Sequence, residues 1–321
     1  MRTAFAVGLL SASFVVPCGI ANGATTWKAY SIGDHGFSVM MPSVPQSRTL
    51  PTPGAEGTLR VYEAFDPETK LTKFSVFVNE PDRGIFETDS TEAFLTSHIN
   101  SLMRTSDSAT LRFARRMTFH GQPAMEYAYD HKLDGVPYVA RGVTFMVDGG
   151  YMRVSMWHPK DSPGAGESFE RFRGSFSLTP IAYHPVASGV SLRNGVSFRP
   201  PMDWKQQPTQ NAAQLARYTH LTRSMQVLLA GDPLYTCATF ESDVSSSGKL
   251  RQGTTISLGD QRWRKLVGFE DVPKYNVRLT TVWYCRDSRL GAIVLGGSEE
   301  ESKFERWSRV FEGTAATLKV Q

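Results

Sequence analysis

Cysteine is scarce in this chain, with three in 321 residues, at positions 18, 237 and 285. That excludes a disulfide-dense scaffold, and the absence of a C-x-x-C pair removes a thioredoxin-type redox centre. Past the first two dozen residues no apolar run reaches the ~20 residues a helix needs to cross a bilayer. Seven histidines are scattered without an H-E-x-x-H pair, which removes the zincin arrangement. G-x-S-x-G and G-x-G-x-x-G are also missing, so neither a hydrolase nucleophile elbow nor a dinucleotide fingerprint is present. Ser245-Ser246-Ser247-Gly248-Lys249 lacks the upstream glycine of a phosphate loop and the hydroxyl residue after its lysine. Charge of one sign is not in excess. The formal net charge is +4, with 18 basic against 13 acidic residues from Val190 onward and near balance before it. No clustered nucleic-acid footprint results.

What is present begins with an address. Met1-Arg2-Thr3 is a short basic n-region, Ala4–Val16 an apolar h-region, and Ala21-Asn22-Gly23 a small-residue cleavage site. Residues 1–23 therefore read as a signal peptide, too short in its apolar part to span a membrane. Pro17 directly before Cys18 argues against lipoprotein processing at that cysteine. The expected localisation is periplasmic or secreted, with no transmembrane segment in the mature chain. In an oxidising compartment the two remaining thiols, Cys237 and Cys285, are expected to pair, the alternative being two buried free thiols. Closing the loop between them would contribute on the order of 3–4 kcal/mol.

The rest of the chain is β-rich. Short strands are expected at 36–42, 59–65, 71–78, 116–119, 124–133, 136–147 and 151–157, and a Pro/Gly/Ser-rich loop from Val44 to Gly57. Asp134-Gly135 and Asp148-Gly149-Gly150 mark hairpin turns. One clear amphipathic helix carries Phe94, Leu95, Ile99, Leu102 and Met103 on one face, with Asp89 and Glu92 as its capping pair. A closing helix near 168–176 presents Phe169, Phe172 and Phe176 at helical spacing.

Three patterns then recur in the same order. Gly36-Phe37-Ser38-Val39-Met40-Met41-Pro42 is echoed by Gly195-Val196-Ser197-Phe198-Arg199-Pro200-Pro201. Tyr138, Arg141 and Thr144 are echoed by Tyr275, Arg278 and Thr281, and Phe169-Glu170-Arg171-Phe172 by Phe304-Glu305-Arg306-Trp307. A shrinking offset places the loss of residues in the second copy where the first has its long helix, a place held by Pro233–Ser247 with Cys237 inside it. The expected domains are 24–180, a linker at 181–190, and a shortened copy at 191–321.

These motifs, with the hairpin series 116–157 and the Pro201-x-x-Trp204 opening of the second copy, resemble the PsbP-like, Mog-type family. That resemblance implies an α+β fold of two tandem α/β/α sandwich domains, each a mainly antiparallel sheet covered by helices and used for binding. The family shares a scaffold without a common site, so it carries over no functional residues.

The remaining candidates are basic. Arg112, Arg115 and Arg116 precede one strand, and Arg262, Arg264 and Lys265 flank Trp263 on another. Alternation puts Arg262 and Arg264 opposite Trp263. Together the six form a candidate surface for an anionic partner, against the simpler reading of a solvated face. His120 and His131, near Glu126, Asp130 and Asp134, are better read as surface histidines beside turns than as a metal site. No metal, cofactor or catalytic residue is expected. The leading expectation is a non-enzymatic binding or accessory protein of the cell envelope with a protein or envelope partner and no nucleic acid. The alternative is a periplasmic hydrolase whose site is assembled from residues far apart in sequence. A cluster of acid, histidine and hydroxyl in one pocket would favour the enzyme, and a broad groove between the copies, lined by aromatics and the arginine clusters, would favour binding.

Overall fold

The computed structural model describes residues 26–51, 57–81, 91–273 and 277–320. The signal-peptide expectation, Cys18, the Asp89 cap and Tyr275 lie outside the described residues.

In the first half the chain runs β1 (Lys28–Ile32), β2 (Phe37–Met41), β3 (Gln46–Pro51), β4 (Gly57–Phe65), β5 (Lys73–Pro81), α1 (Thr91–Arg104), β6 (Thr110–Phe119), β7 (Gln122–Leu133), β8 (Val136–Val147), β9 (Gly150–Pro159), α2 (Ala165–Ser175) and β10 (Ser177–Leu178). The second half runs β11 (Val190–Ser191), β12 (Val196–Phe198), β13 (Lys205–Gln207), β14 (Gln214–His220), β15 (Arg223–Leu229), α3 (Cys237–Ser246), β16 (Leu250–Leu258), β17 (Gln261–Val272), β18 (Val277–Ser288), β19 (Gly291–Glu300), α4 (Phe304–Ala316) and β20 (Lys319–Val320). The large sheets have seven strands each, in the orders β3-β4-β5-β9-β8-β7-β6 and β13-β14-β15-β19-β18-β17-β16. Two three-stranded sheets, β1-β2-β10 and β11-β12-β20, complete the set. Adding ten to each strand number of the first half gives the second, and each helix keeps its place in the order.

Tight turns explain why strands follow one another so directly. Asp134-Gly135 and Asp148-Gly149 each hold two successive residues at positive φ (52° and 79°, 56° and 75°). That is the twist a two-residue hairpin requires, and it leaves no room for an intervening helix. A helix enters only where the chain must leave its neighbour. α1 carries it from β5, inside the sheet, to the far edge at β6.

This architecture corrects the expectation of α/β/α sandwiches with helix-covered sheets. Most described residues are in antiparallel strands, and each large sheet has only two helices over parts of it. In the first half Phe169, Phe172 and Phe176 share one face with Phe37, Val39 and Met41 of β2, so a small sheet and a helix cover that face together. On the opposite face Leu95 and Ile99 of α1 meet Met125, Tyr127 and Tyr129 of β7. In the second half α4 packs Trp307, Val310 and Phe311 into the main core with Val196 and Phe198. α3 covers a small cluster of Cys237, Cys285, Ala292 and Val294.

One local expectation is also corrected. Residues 46–51, expected as loop, form the edge strand β3 with Pro51 at its end, a place where a missing N–H breaks no ladder. Pro233–Ser247 holds a ten-residue helix capped by the Thr236 side chain. The Cys237–Cys285 disulfide ties that helix to β18. The expected linker is not slack. Ile181 is buried in the second half's core, while the N–H of Ala182 donates to the Gly33 carbonyl of the first half at 2.9 Å.

Candidate functional site

The halves meet around one charged turn. Asp148 sits at the tip of the β8–β9 hairpin, at a φ of 56° that suits the short polar side chain of aspartate. The turn carries it into the second half, where Arg306 Nη2 donates to Oδ2 at 2.6 Å and Trp307 Nε1 to Oδ1 at 3.0 Å. Arg223, fully buried, donates to the Asp148 carbonyl at 2.8 Å, pairs with buried Glu299, and lies 3.7 Å over the Trp307 ring. Arg306 Nη1 also holds the carbonyls of Gly36 and Thr179, each at 2.7 Å. Burial by itself would raise the Asp148 carboxyl, but the charges of Arg306 and Arg223 and the bonds from Arg306 and Trp307 hold it down at about 2. Glu299 goes the other way, raised because burial outweighs Arg223.

In front of this layer a cleft of about 280 Å3 opens between the halves. The first half lines it with Asp34 and His35 from the turn after β1, Arg60 from β4 and Glu80 from β5. The connecting segment adds Ile181 and His184, and the second half adds Met202, Trp204, His220 and Trp307. His220 stacks on Trp204 at 5.9 Å and leans on Trp307 at 5.7 Å. Burial, reinforced by the Arg223 charge, pulls its pKa down to about 4, so the ring is neutral at neutral pH. His184 Nε2 lies 2.8 Å from Asp34 Oδ1.

His35 is the unusual member. Its side chain is only 7% exposed, and neither ring nitrogen has a hydrogen-bond partner. Glu80 Oε1 lies 3.6 Å from Nδ1, beyond hydrogen-bond length. Burial pushes the Glu80 carboxyl upward, but the His35 imidazole, with help from the Arg223 charge, outweighs it and holds the group below its ordinary value. Behind His35 a void of about 20 Å3 has room for one water molecule.

The candidate basic residues are elsewhere, and they are not brought together. On edge strand β6, Arg112 forks onto Asp130 at 2.7 and 3.1 Å, Arg115 meets Glu126 at 2.7 Å, and Arg116 meets Glu92. On β17, Arg264 forks onto Glu241 at 2.6 and 2.7 Å and Lys265 reaches Glu312 at 2.7 Å. Arg262 is exposed and borders a shallow depression with Arg286 and Arg289. Trp263 faces inward at 1% exposure, on the opposite side of the strand from Arg262. His120 stands at the β6–β7 turn, but His131 is not the surface histidine expected, being buried against Trp157 at 4.9 Å. Among the described residues no group of three or more His, Cys, Asp or Glu side chains is placed to hold a metal ion. No described helix is long and apolar enough to cross a membrane.

The cleft residues were not singled out by their sequence context, since they come from seven separated stretches. One signal was available. Where the first copy of the closing helix has Phe172, the second has Trp307, and the indole N–H that this change adds is the one that meets Asp148.

No family model matches the chain, and no curated protein matches it. Among solved structures it is similar to the cyanobacterial PsbP of Synechocystis at 18% identity and a TM-score of 0.34, over 50% of this chain and 97% of that one. It is similar to a Pseudomonas aeruginosa protein of unknown function at 11% identity and a TM-score of 0.30, over 45% and 91% of the two chains. A Bacteroides thetaiotaomicron structure is similar at 10% identity and a TM-score of 0.31, over 54% and 53%. Scores of this size carry no argument about site or activity.

Proposed function

We propose that the mature chain is an exported, non-catalytic binding protein of the cell envelope, built from two tandem copies of one PsbP-like unit, that captures its ligand in the cleft between them. The observation that carries this reading is His35, a buried imidazole at the wall of the cleft that makes no hydrogen bond within the protein and whose polar neighbour is Glu80, 3.6 Å away. Leaving a buried polar group unpaired costs about 1–3 kcal/mol, a cost that a bound ligand offsets. Concavity, aromatic walls and a few converging polar groups are the usual composition of a ligand site. Export is supported by the signal-like first 23 residues and by the disulfide, which belongs to an oxidising compartment. The tandem reading is supported by the three motif echoes and the shared strand order.

The hydrolase alternative finds an acid–imidazole pair in Asp34 and His184. Among the described residues the cleft lining adds no serine, threonine or cysteine to act as nucleophile beside it. Binding is therefore the better-supported function.

Native purification of the mature protein from envelope or medium, followed by denaturation and mass spectrometry of the released small molecules, tests this. A stoichiometric compound that is lost from His35→Ala supports cleft binding. No retained compound, together with turnover of ester, peptide or glycoside reporters, would reverse the reading in favour of the enzyme.

A further inference from the structure

Resting on the reading of the cleft as a binding site, we propose that its ligand is a compact organic cation whose ammonium group is held by Glu80 and His35. Three lining carboxylates, Asp34 (2.8 Å from the His184 imidazole), Glu80 and Asp203, face a single guanidinium, Arg60. The charged layer behind them sets Asp148 and Glu299 against Arg223 and Arg306. The cleft is therefore negative, in a chain whose formal charge is +4. The local charge does not follow from composition, and it favours a cation.

Donor and acceptor chemistry agrees. An ammonium offers three N–H donors and no acceptor, and carboxylate oxygens and an unprotonated imidazole nitrogen are acceptors. His35 supplies a buried nitrogen with no other partner, 3.6 Å from the Glu80 oxygen. A donor placed between them would satisfy both groups, and an anion would add a further negative group beside Glu80. Ile181, Pro201 and Met202 give the carbon skeleton an apolar wall, with Met202 53% exposed at the mouth. The cavity, about 280 Å3, lies just below the ~300–1,000 Å3 typical of ligand pockets, which limits the ligand to a compact molecule.

Three probes of matched length separate the cases: n-butylammonium, n-butanol and butyrate, each titrated into the full mature protein while the His35 and Trp307 ring signals are followed by NMR. The expected result is saturable shifts with n-butylammonium alone, weakened at least tenfold in Glu80→Gln. Asp203→Asn is the second variant. It removes a lining charge at a residue whose φ of 69° asparagine tolerates. It should weaken n-butylammonium severalfold even if Glu80→Gln fails to fold. Saturation by butyrate or n-butanol in place of n-butylammonium would overturn the cation assignment and leave cleft binding standing. Unchanged n-butylammonium affinity in folded variants would also overturn the assignment. Ring signals that no probe moves would overturn both readings.

Discussion

At the scale of single residues, the junction depends on how Asp148 is neutralised. Its carboxylate is 10% exposed and is held by two arginines and an indole N–H. Replacing it with asparagine keeps the shape and the turn but leaves partly buried Arg306 without its carboxylate and buried Arg223 with Glu299 alone. Breaking one side of a buried pair typically costs about 3–5 kcal/mol. Asp148→Asn is expected to lose stability of that order in urea denaturation, and a loss below about 1 kcal/mol would show that the cluster is solvated. His220 sets a pH dependence of known sign. Its folded pKa of about 4 lies below the ordinary ~6.5, so between those values the unfolded chain binds more protons. The stability it contributes is complete above ~pH 6.5 and is lost as pH falls toward 4, a change on the order of 3 kcal/mol. His98, lowered to about 3 by burial and Arg153, adds a loss of the same sign. Thermal midpoints should fall from pH 7 to pH 4, and His220→Gln should flatten part of that slope. A midpoint indifferent to pH in this window would contradict the assignment. None of this was legible from the histidines themselves, which stand in no recognisable motif. Each depends on what packs against it from distant parts of the chain.

At the scale of elements, hairpins and amphipathic helices were legible because their signals are local. β8 has the same limits in the sequence pattern and in the structure, Val136–Val147, because Asp134-Gly135 fixes one end and Asp148-Gly149 the other. β3 was hidden because Pro45 and Pro51 flank it, and only its edge position makes that composition tolerable. α3 was hidden for a different reason. Cys237 is its one fully buried residue, so no apolar stripe marks it. At ten residues it is shorter than the ~12–15 that an isolated helix needs for marginal stability, so tertiary attachment must hold it in place. The disulfide to Cys285, 48 residues away, and the Asp287 carboxylate accepting the Cys237 N–H at 2.6 Å supply that attachment. The double variant Cys237→Ser/Cys285→Ser is expected to lose about 3–4 kcal/mol from the longer open loop. It should also lose hydrogen-exchange protection over 237–246 first, with the β15–β19 ladder still protected. Uniform loss of protection across the second half would instead make the bond part of its main core.

At the scale of the whole molecule, the two halves share an element order but not their surfaces, and the differences lie where they touch. Arg171 of the first closing helix lies over the Trp27 ring at 5.1 Å, a contact within its own half. Its echo, Arg306, instead reaches across to Gly36, Thr179 and Asp148. The guanidinium's five donors let one side chain hold two carbonyls and a carboxylate at once, which a lysine at this position could not reproduce. Because Gly36 and Asp148 are 112 residues apart in the first half, Arg306 fixes the turn after β1 and the β8–β9 hairpin relative to α4 together. Those are the elements that place His35, Asp34 and Trp307 around the cleft. Removing this side chain should leave each sheet intact and loosen the geometry between them. Arg306→Ala is therefore expected to keep the wild-type far-UV spectrum, replace a single calorimetric transition with two, and expose residues 179–189 to limited proteolysis. Arg306→Lys should restore only part of the coupling, since one ammonium supplies three donors without the planar fork. A single wild-type-like transition and unchanged proteolysis in Arg306→Ala would mean that the buried Ile181 segment alone holds the halves, with the arginine serving only to neutralise Asp148.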